Sequence, residues 1–136
     1  IYERPASRYV AGLVGAPAIN ILKGSADTAA DAYEAADGAI RLPLSAIPRE
    51  AIAIGIRPEA IRLSPFDGGA EKPATIWEVE PLGGFTVVAL SAGADRLRVM
   101  LRGQPRLAAE EKVKLSVDLG AVHFFAADGV ALAGGR

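Results

Sequence analysis

His123 is the single histidine of the chain and the first candidate for acid–base chemistry. It stands between Val122 and Phe124 in an apolar segment. A catalytic histidine needs a nucleophile within reach and a carboxylate to orient it. No Gly-x-Ser-x-Gly elbow occurs, so His123 reads as a structural residue. One histidine and no cysteine cannot supply the usual zinc ligands. A phosphate cradle needs Gly-Lys followed by Ser or Thr, so that an ammonium and a hydroxyl reach the phosphates. Gly-Lys is absent: Lys23, Lys72, Lys112 and Lys114 lie in other contexts, and the Gly-Gly pairs at 68–69, 83–84 and 134–135 are turns and tail. The chain by itself is therefore expected to hydrolyse no nucleotide and to carry no cofactor or metal.

Gly55-Ile56-Arg57-Pro58-Glu59 offers charge at a corner instead. Ile52, Ile54 and Ile56 alternate and would fill one face of a strand, while Ala51, Ala53 and Gly55 would let another backbone approach the other. Pro58 ends the strand and can start a helical turn. Glu59 then falls in the first positions of that turn, where the dipole favours negative charge. Arg57 could pair with Glu59 as a solvated ion pair worth roughly 0–1 kcal/mol, or meet a partner. Both readings stand at this point.

The elements that would hold these residues come from a chain of 136 residues, enough for one domain with a core of its own. Hydrophobic residues make up 51% and charged residues 23%, the balance of a globular protein. Fifteen basic against 16 acidic side chains argue against a surface devoted to phosphate backbones. Aromatics are 6%. Trp77 and Phe85 fall in strands that need core residues, which removes the stacking platforms a single strand of nucleic acid requires. Absence of cysteine suits a reducing compartment, and no apolar run reaches the ~20 residues of a membrane span. The start, Ile1-Tyr2-Glu3-Arg4-Pro5, has neither initiator Met nor secretory pattern; it reads as the interior of something longer.

Pro5 followed by Tyr9, Val10, Leu13 and Val14 predicts a short amphipathic helix over 5–14, stopped by Gly15 and Pro17. Most of the rest alternates with period two: Ile40, Leu42, Leu44; Ile52, Ile54, Ile56; Thr75, Trp77, Val79; Phe85 to Leu90; Leu97, Val99, Leu101 against Arg98 and Arg102; Val113, Leu115, Val117; and Val122 to Phe125. Pro81-Leu82-Gly83-Gly84 and Asp128-Gly129 are turns. Over 24–38 the alanines favour helix by propensity, but Asp37-Gly38 before an alternating strand favours a hairpin, and the hairpin is preferred. Pro65-Phe66-Asp67-Gly68-Gly69 is a loop and a candidate seam between two β lobes. The fold class is mainly β: an OB-type barrel or sandwich of short antiparallel strands, with five strands counted from Thr75, plus the short N-terminal helix.

Three segments in this order resemble a known family. They are Tyr2-Glu3-Arg4-Pro5 through Ala18-Ile19-Asn20; Gly55 through Glu59; and Glu80-Pro81-Leu82-Gly83-Gly84-Phe85-Thr86 with His123-Phe124-Phe125 and Asp128-Gly129. Together they resemble the C-terminal regulatory region of ATPase subunits from bacterial ABC importers of the carbohydrate group, which includes the maltose and glycerol-3-phosphate importers. Phe85 stands where that family usually has a polar residue, and Ala109-Glu110-Glu111 where a turn with glycine is common.

The resemblance implies an OB-type β fold, the TOBE or MalK-type domain, over 17–136, with two lobes meeting near 64–73. It implies that residues 1–16 are the last helix of an ATPase domain that would lie upstream. ATP and Mg belong to that ATPase domain. The implied role is regulation and dimerisation of the subunit, cytoplasmic and peripheral to the membrane. The implied partners are a second copy of the subunit, its own ATPase domain, the membrane subunits indirectly and a regulatory protein, with no nucleic acid. Asn20, Arg57, Pro58 and Glu59 become candidate domain or subunit contacts. The alternative is a sensor of a small ligand or anion, as in the molybdate group of importers, using Arg57, Arg98 and Arg102.

Overall fold

A computed structural model describes residues 18–132. The helix expected over 5–14, and with it most of the first family segment, lies outside the described residues. Eleven strands follow one another: β1 Asn20–Asp27, β2 Ala32–Ala35, β3 Ile40–Pro43, β4 Ala53–Ile56, β5 Ile61–Pro65, β6 Ala74–Pro81, β7 Phe85–Ala92, β8 Asp95–Arg102, β9 Lys112–Val117, β10 His123–Phe125 and β11 Ala131–Leu132. They form two antiparallel sheets, ordered β11-β10-β4-β1-β2-β3 and β5-β9-β6-β7-β8. The fold is the mainly β sandwich that the alternation predicts.

One core lies between the sheets. Leu22, Ile54, Ile56 and Phe124 of the first pack into the same cluster as Val88, Leu90, Val99 and Leu115 of the second. Each such side chain, fully removed from water, contributes roughly 1.5–3 kcal/mol. The hairpin preferred over 24–38 is present twice over, as β1 on β2 and β2 on β3. Asp37 and Gly38 supply the left-handed backbone of the second turn, with φ of 55° and 87°.

Four expectations change. The five-stranded sheet includes β5 and omits β10, which pairs with β4 in the other sheet. Ile52 does not share the buried face of Ile54 and Ile56: it is 47% exposed, because the Pro48–Ala51 turn delivers it at the rim just before the strand begins. Trp77 is 41% exposed and Phe85 49%, so neither is a core residue. The cause at Trp77 is a β-bulge. Ile76 pairs with Leu90 and Glu78 with Ala89, which leaves Trp77 as the extra residue. The bulge moves the core side of β6 from Thr75, Trp77 and Val79 to Ala74, Ile76 and Val79. Phe85 shares the outer face with Val87, which begins next to the Leu82–Gly84 turn.

The turn before β9 explains one departure from the family pattern. Glu110 holds φ at +74°, a backbone region that costs a non-glycine residue roughly 1–2 kcal/mol. The turn is held all the same: the Glu110 amide donates to the Ile76 carbonyl at 2.6 Å and the Ile76 amide to the Glu111 carbonyl at 2.9 Å. Those two bonds also pin the residue just before the bulge.

Residues 66–73 connect β5 and β6, two strands of the same sheet. The chain changes sheets elsewhere, at 57–60 between β4 and β5 and at 118–122 between β9 and β10. The two crossings are neighbours, since β5 pairs with β9 and β4 with β10.

Candidate functional site

Each crossing is a short 3-10 turn between extended residues. Arg57 (φ −69°, ψ 149°) leads into Pro58–Ala60 and out at Ile61 (φ −102°, ψ 131°). Asp118 (φ −77°, ψ 133°) leads into Leu119–Ala121 and out at Val122 (φ −95°, ψ 132°). In each, the third turn residue donates its amide to the carbonyl of the leading residue, Ala60 to Arg57 at 3.0 Å and Ala121 to Asp118 at 2.9 Å. Ile61 and Val122 are then buried, which fixes where each turn must stop.

An open cleft of about 490 Å³ lies between the crossings, lined among others by Arg57, Glu59, Asp118, Gly120 and His123. The Arg57 guanidinium stands 3.8 Å from the Glu59 carboxylate, a loose ion pair whose arginine side chain is four-fifths covered (20% exposed). Asp118 is held more closely from outside the cleft: Arg62 of β5 donates two hydrogen bonds to its carboxylate, at 3.1 and 3.2 Å. That bidentate bond first, and the charge second, hold Asp118 below and Arg62 above their ordinary ranges. His123 pairs with Gly55 across the strands, between buried Val122 and Phe124. The cleft thus gathers a histidine and two carboxylates, but no hydroxyl or thiol among its lining residues.

Of the sequence candidates, Arg57 and Glu59 line this cleft, whereas Asn20 lines a separate one beside Trp77, Arg96 and Arg98. Pro58 is buried and Glu59 exposed. Gly55 does admit a close approach, by side chains: a Cβ there would lie 2.9 Å from the Phe125 ring and 3.2 Å from Ile21. Asn20 is buried, and its carboxamide binds both sheets. The amide nitrogen donates to the Ile56 carbonyl at 3.1 Å and to the Arg98 carbonyl at 2.9 Å, and the oxygen accepts from the Arg98 amide at 2.9 Å. Arg98 lies on β8, the edge of the five-stranded sheet. Asn20 therefore completes that edge as a neighbouring strand's peptide would, and ties it to the last residue before the first crossing.

The arginines proposed for anion sensing do not share a cleft. Arg57 lines the one just described, whereas Arg98 lies on the outer face of β6–β7–β8. Residues directly opposite one another put Phe85, Val87, Ala89 and Ser91 in the central column of that face. Thr75, Glu78 and Glu80 stand on one side and Arg96, Arg98, Met100 and Arg102 on the other. The Arg96 guanidinium lies over the Trp77 ring, 5.3 Å from its centroid. It reaches across β7 because Ser91 and Ala89 are small. Trp77, Arg96, Asp118 and Arg62 were not candidates on sequence grounds. The alternating Arg96-Leu97-Arg98 run was the legible signal for the face; the ion pair joins residues 56 positions apart.

The described residues contain no cluster of three metal-ligating side chains and no helix long and apolar enough to cross a membrane.

Residues 54–125 match the model of the TOBE domain. That span starts in β4, contains both crossings and ends with β10. The chain is 36% identical over 130 residues to the sn-glycerol-3-phosphate import ATP-binding protein UgpC of Salmonella typhimurium, covering 92% of this chain and 36% of that protein. It is 35% identical over 134 residues to the sulfoquinovosyl glycerol transport ATP-binding protein SmoE of Agrobacterium fabrum, with 92% and 36% covered. A UgpC protein of Rhizobium johnstonii is 30% identical over 131 residues, covering 94% and 35%. The chain therefore spans about a third of the length of the curated relatives it matches.

Proposed function

The chain belongs to the TOBE domain family, and from that premise we propose that it is the regulatory and dimerisation region of an ABC importer's ATP-binding subunit. The family match across both crossings carries this reading. In it the region does no chemistry. ATP and Mg act in an ATPase domain of the same subunit, and the transported solute is of the carbohydrate or glycerol-3-phosphate kind. The partners are a second copy of the subunit, its ATPase domain, the membrane subunits indirectly and a regulatory protein. The subunit works in the cytoplasm, against the membrane.

A buried core shared by two sheets supports a module that holds position. Asn20 and the Arg57–Glu59 corner would keep the two sheets in one arrangement while the ATPase halves open and close. Light scattering after size exclusion tests the reading on the full subunit, with and without residues 17–136. The dimer is expected to weaken when the region is deleted. An unchanged dimer would sink the dimerisation claim.

A further inference from the structure

The segment that joins β3 to β4 flanks a second cleft, between itself and the β1–β2 hairpin. It is anchored at both ends. The Leu44 amide donates to the Asp31 carbonyl at 3.4 Å, and the Gly24 amide to the Ile52 carbonyl at 2.9 Å. Between the anchors lie two local turns, closed by Ile47 on Leu44 and by Ala51 on Pro48. The cleft holds about 420 Å³. Leu44, Ile47 and Pro48 give it an apolar wall, and Thr28, Tyr33 and Arg49 its polar groups. Such a size and such a mixed lining suit a small molecule. The family match over 54–125 reaches none of these residues.

Two of the polar groups are set for a ligand. Tyr33 is 3% exposed, and its ring lies on Gly24, where a Cβ would run into the ring and the hydroxyl. The hydroxyl reaches the Ala51 carbonyl at 3.5 Å, a bond long enough to yield to a better acceptor. Burial raises the pKa of this phenol, so it stays a donor at neutral pH. Arg49 is exposed. Arg41, Arg57 and Arg62 each stand within ion-pair distance of a carboxylate, but among the described residues no carboxylate stands so by Arg49.

We propose that this cleft binds a small polyol carrying one anionic group. The Arg49 guanidinium would take the anionic group, since its paired donors match the oxygens of a phosphate, sulfonate or carboxylate. Tyr33 and Thr28 would bind hydroxyls, and the apolar wall would cover the carbon chain. A neutral polyol leaves the cation unused; a bare inorganic anion leaves the hydroxyls and the wall unused. The inference rests on the regulatory reading above for its consequence alone. An occupied cleft would hold the 44–51 segment against the hairpin, and that segment leads through β4 into the first crossing.

Amide resonances of the chain, followed during titration with sn-glycerol-3-phosphate, glycerol and inorganic phosphate, read affinity and place together. Shifts are expected at Thr28, Ile47 and Arg49, with the phosphate ester bound roughly tenfold or more tightly than glycerol or phosphate. Arg49→Ala, at an exposed site, is expected to keep the melting temperature and to weaken the ester roughly tenfold or more. Tyr33→Phe keeps the ring on Gly24, removes the hydroxyl and is expected to weaken the ester roughly threefold or more. Three results overturn the proposal. One is no shift with any probe at about 10 mM. Another is inorganic phosphate bound as tightly as the ester. The third is binding that survives Arg49→Ala and is lost in Arg57→Ala. None of them bears on the deletion experiment with the full subunit, which judges the dimerisation reading on its own.

Discussion

The two crossings between the sheets have nearly the same backbone and opposite chemistry. Each leads from an extended charged residue through a three-residue 3-10 turn to a buried β-branched residue. The first opens on Arg57 and carries a buried proline; the second opens on Asp118 and carries a partly exposed leucine at the equivalent place. The charge of the first is paired inside its own turn, with Glu59. The charge of the second is paired outside its turn, with Arg62 on the strand that leaves the first. The difference teaches that the fold requires the turn and the buried exit residue, while the leading charge is free to vary. At both crossings the charge closes on a neighbour within the chain, Arg57 on Glu59 and Asp118 on Arg62.

The joint breaks most severely at Asn20, which ties the first crossing to β8. Asn20→Ala removes three hydrogen bonds and leaves the Arg98 amide and two carbonyls without that partner. Since a buried polar group deprived of its partner costs about 1–3 kcal/mol and water can reach part of this site, a loss of roughly 2–3 kcal/mol is expected. Urea denaturation measures it. A loss below about 0.5 kcal/mol would mean that Asn20 only lies between the sheets without holding them.

How much of this was legible follows from the same comparison. The first crossing could be read because Pro58 stops a strand and starts a turn by itself. The second could not, because Asp118-Leu119-Gly120-Ala121 contains no such stop. β5 escaped notice for a related reason: Ile61 to Pro65 holds two apolar residues in alternation and ends in a proline, and it is an edge strand. Trp77 was misplaced because the extra residue of a bulge breaks period-two reading, and nothing around Trp77 announces a bulge. Asn20 marked the family, but its role depends on residues 36 and 78 positions away. Local pattern holds no information at that distance.

The backbone likeness of the crossings can be sharpened by exchanging their chemistry. Leu119 opens its 3-10 turn, where the amide has no partner within the turn and a proline ring suits the backbone. Asp118 before it is extended, as a residue preceding proline must be. Leu119→Pro is therefore expected to stabilise the chain by roughly 0.4–1 kcal/mol, by restricting the unfolded state. Loss of the leucine side chain subtracts little, because it is 38% exposed. A melting temperature that falls would show that the two turns are alike only in outline.

The smallest expected effect concerns the pairing of the second crossing. Arg62 holds the Asp118 carboxyl below the usual carboxylate range, chiefly through the bidentate hydrogen bond. A carboxyl whose folded value lies below its unfolded value stabilises the fold above the unfolded value, and that contribution is lost as pH falls through the folded value. Both groups are exposed, so solvent screens the pair and stability changes little. The titration itself is the better readout. The carboxyl carbon resonance of Asp118 is expected to titrate below the ordinary aspartate midpoint, and to return toward it in Arg62→Ala. The return should be smaller when the starting protein is measured in high salt, where the ionic part is already weakened. A midpoint that stays low in Arg62→Ala would assign the shift to the backbone of the crossing instead, and the two crossings would then differ less in their chemistry than their charges imply.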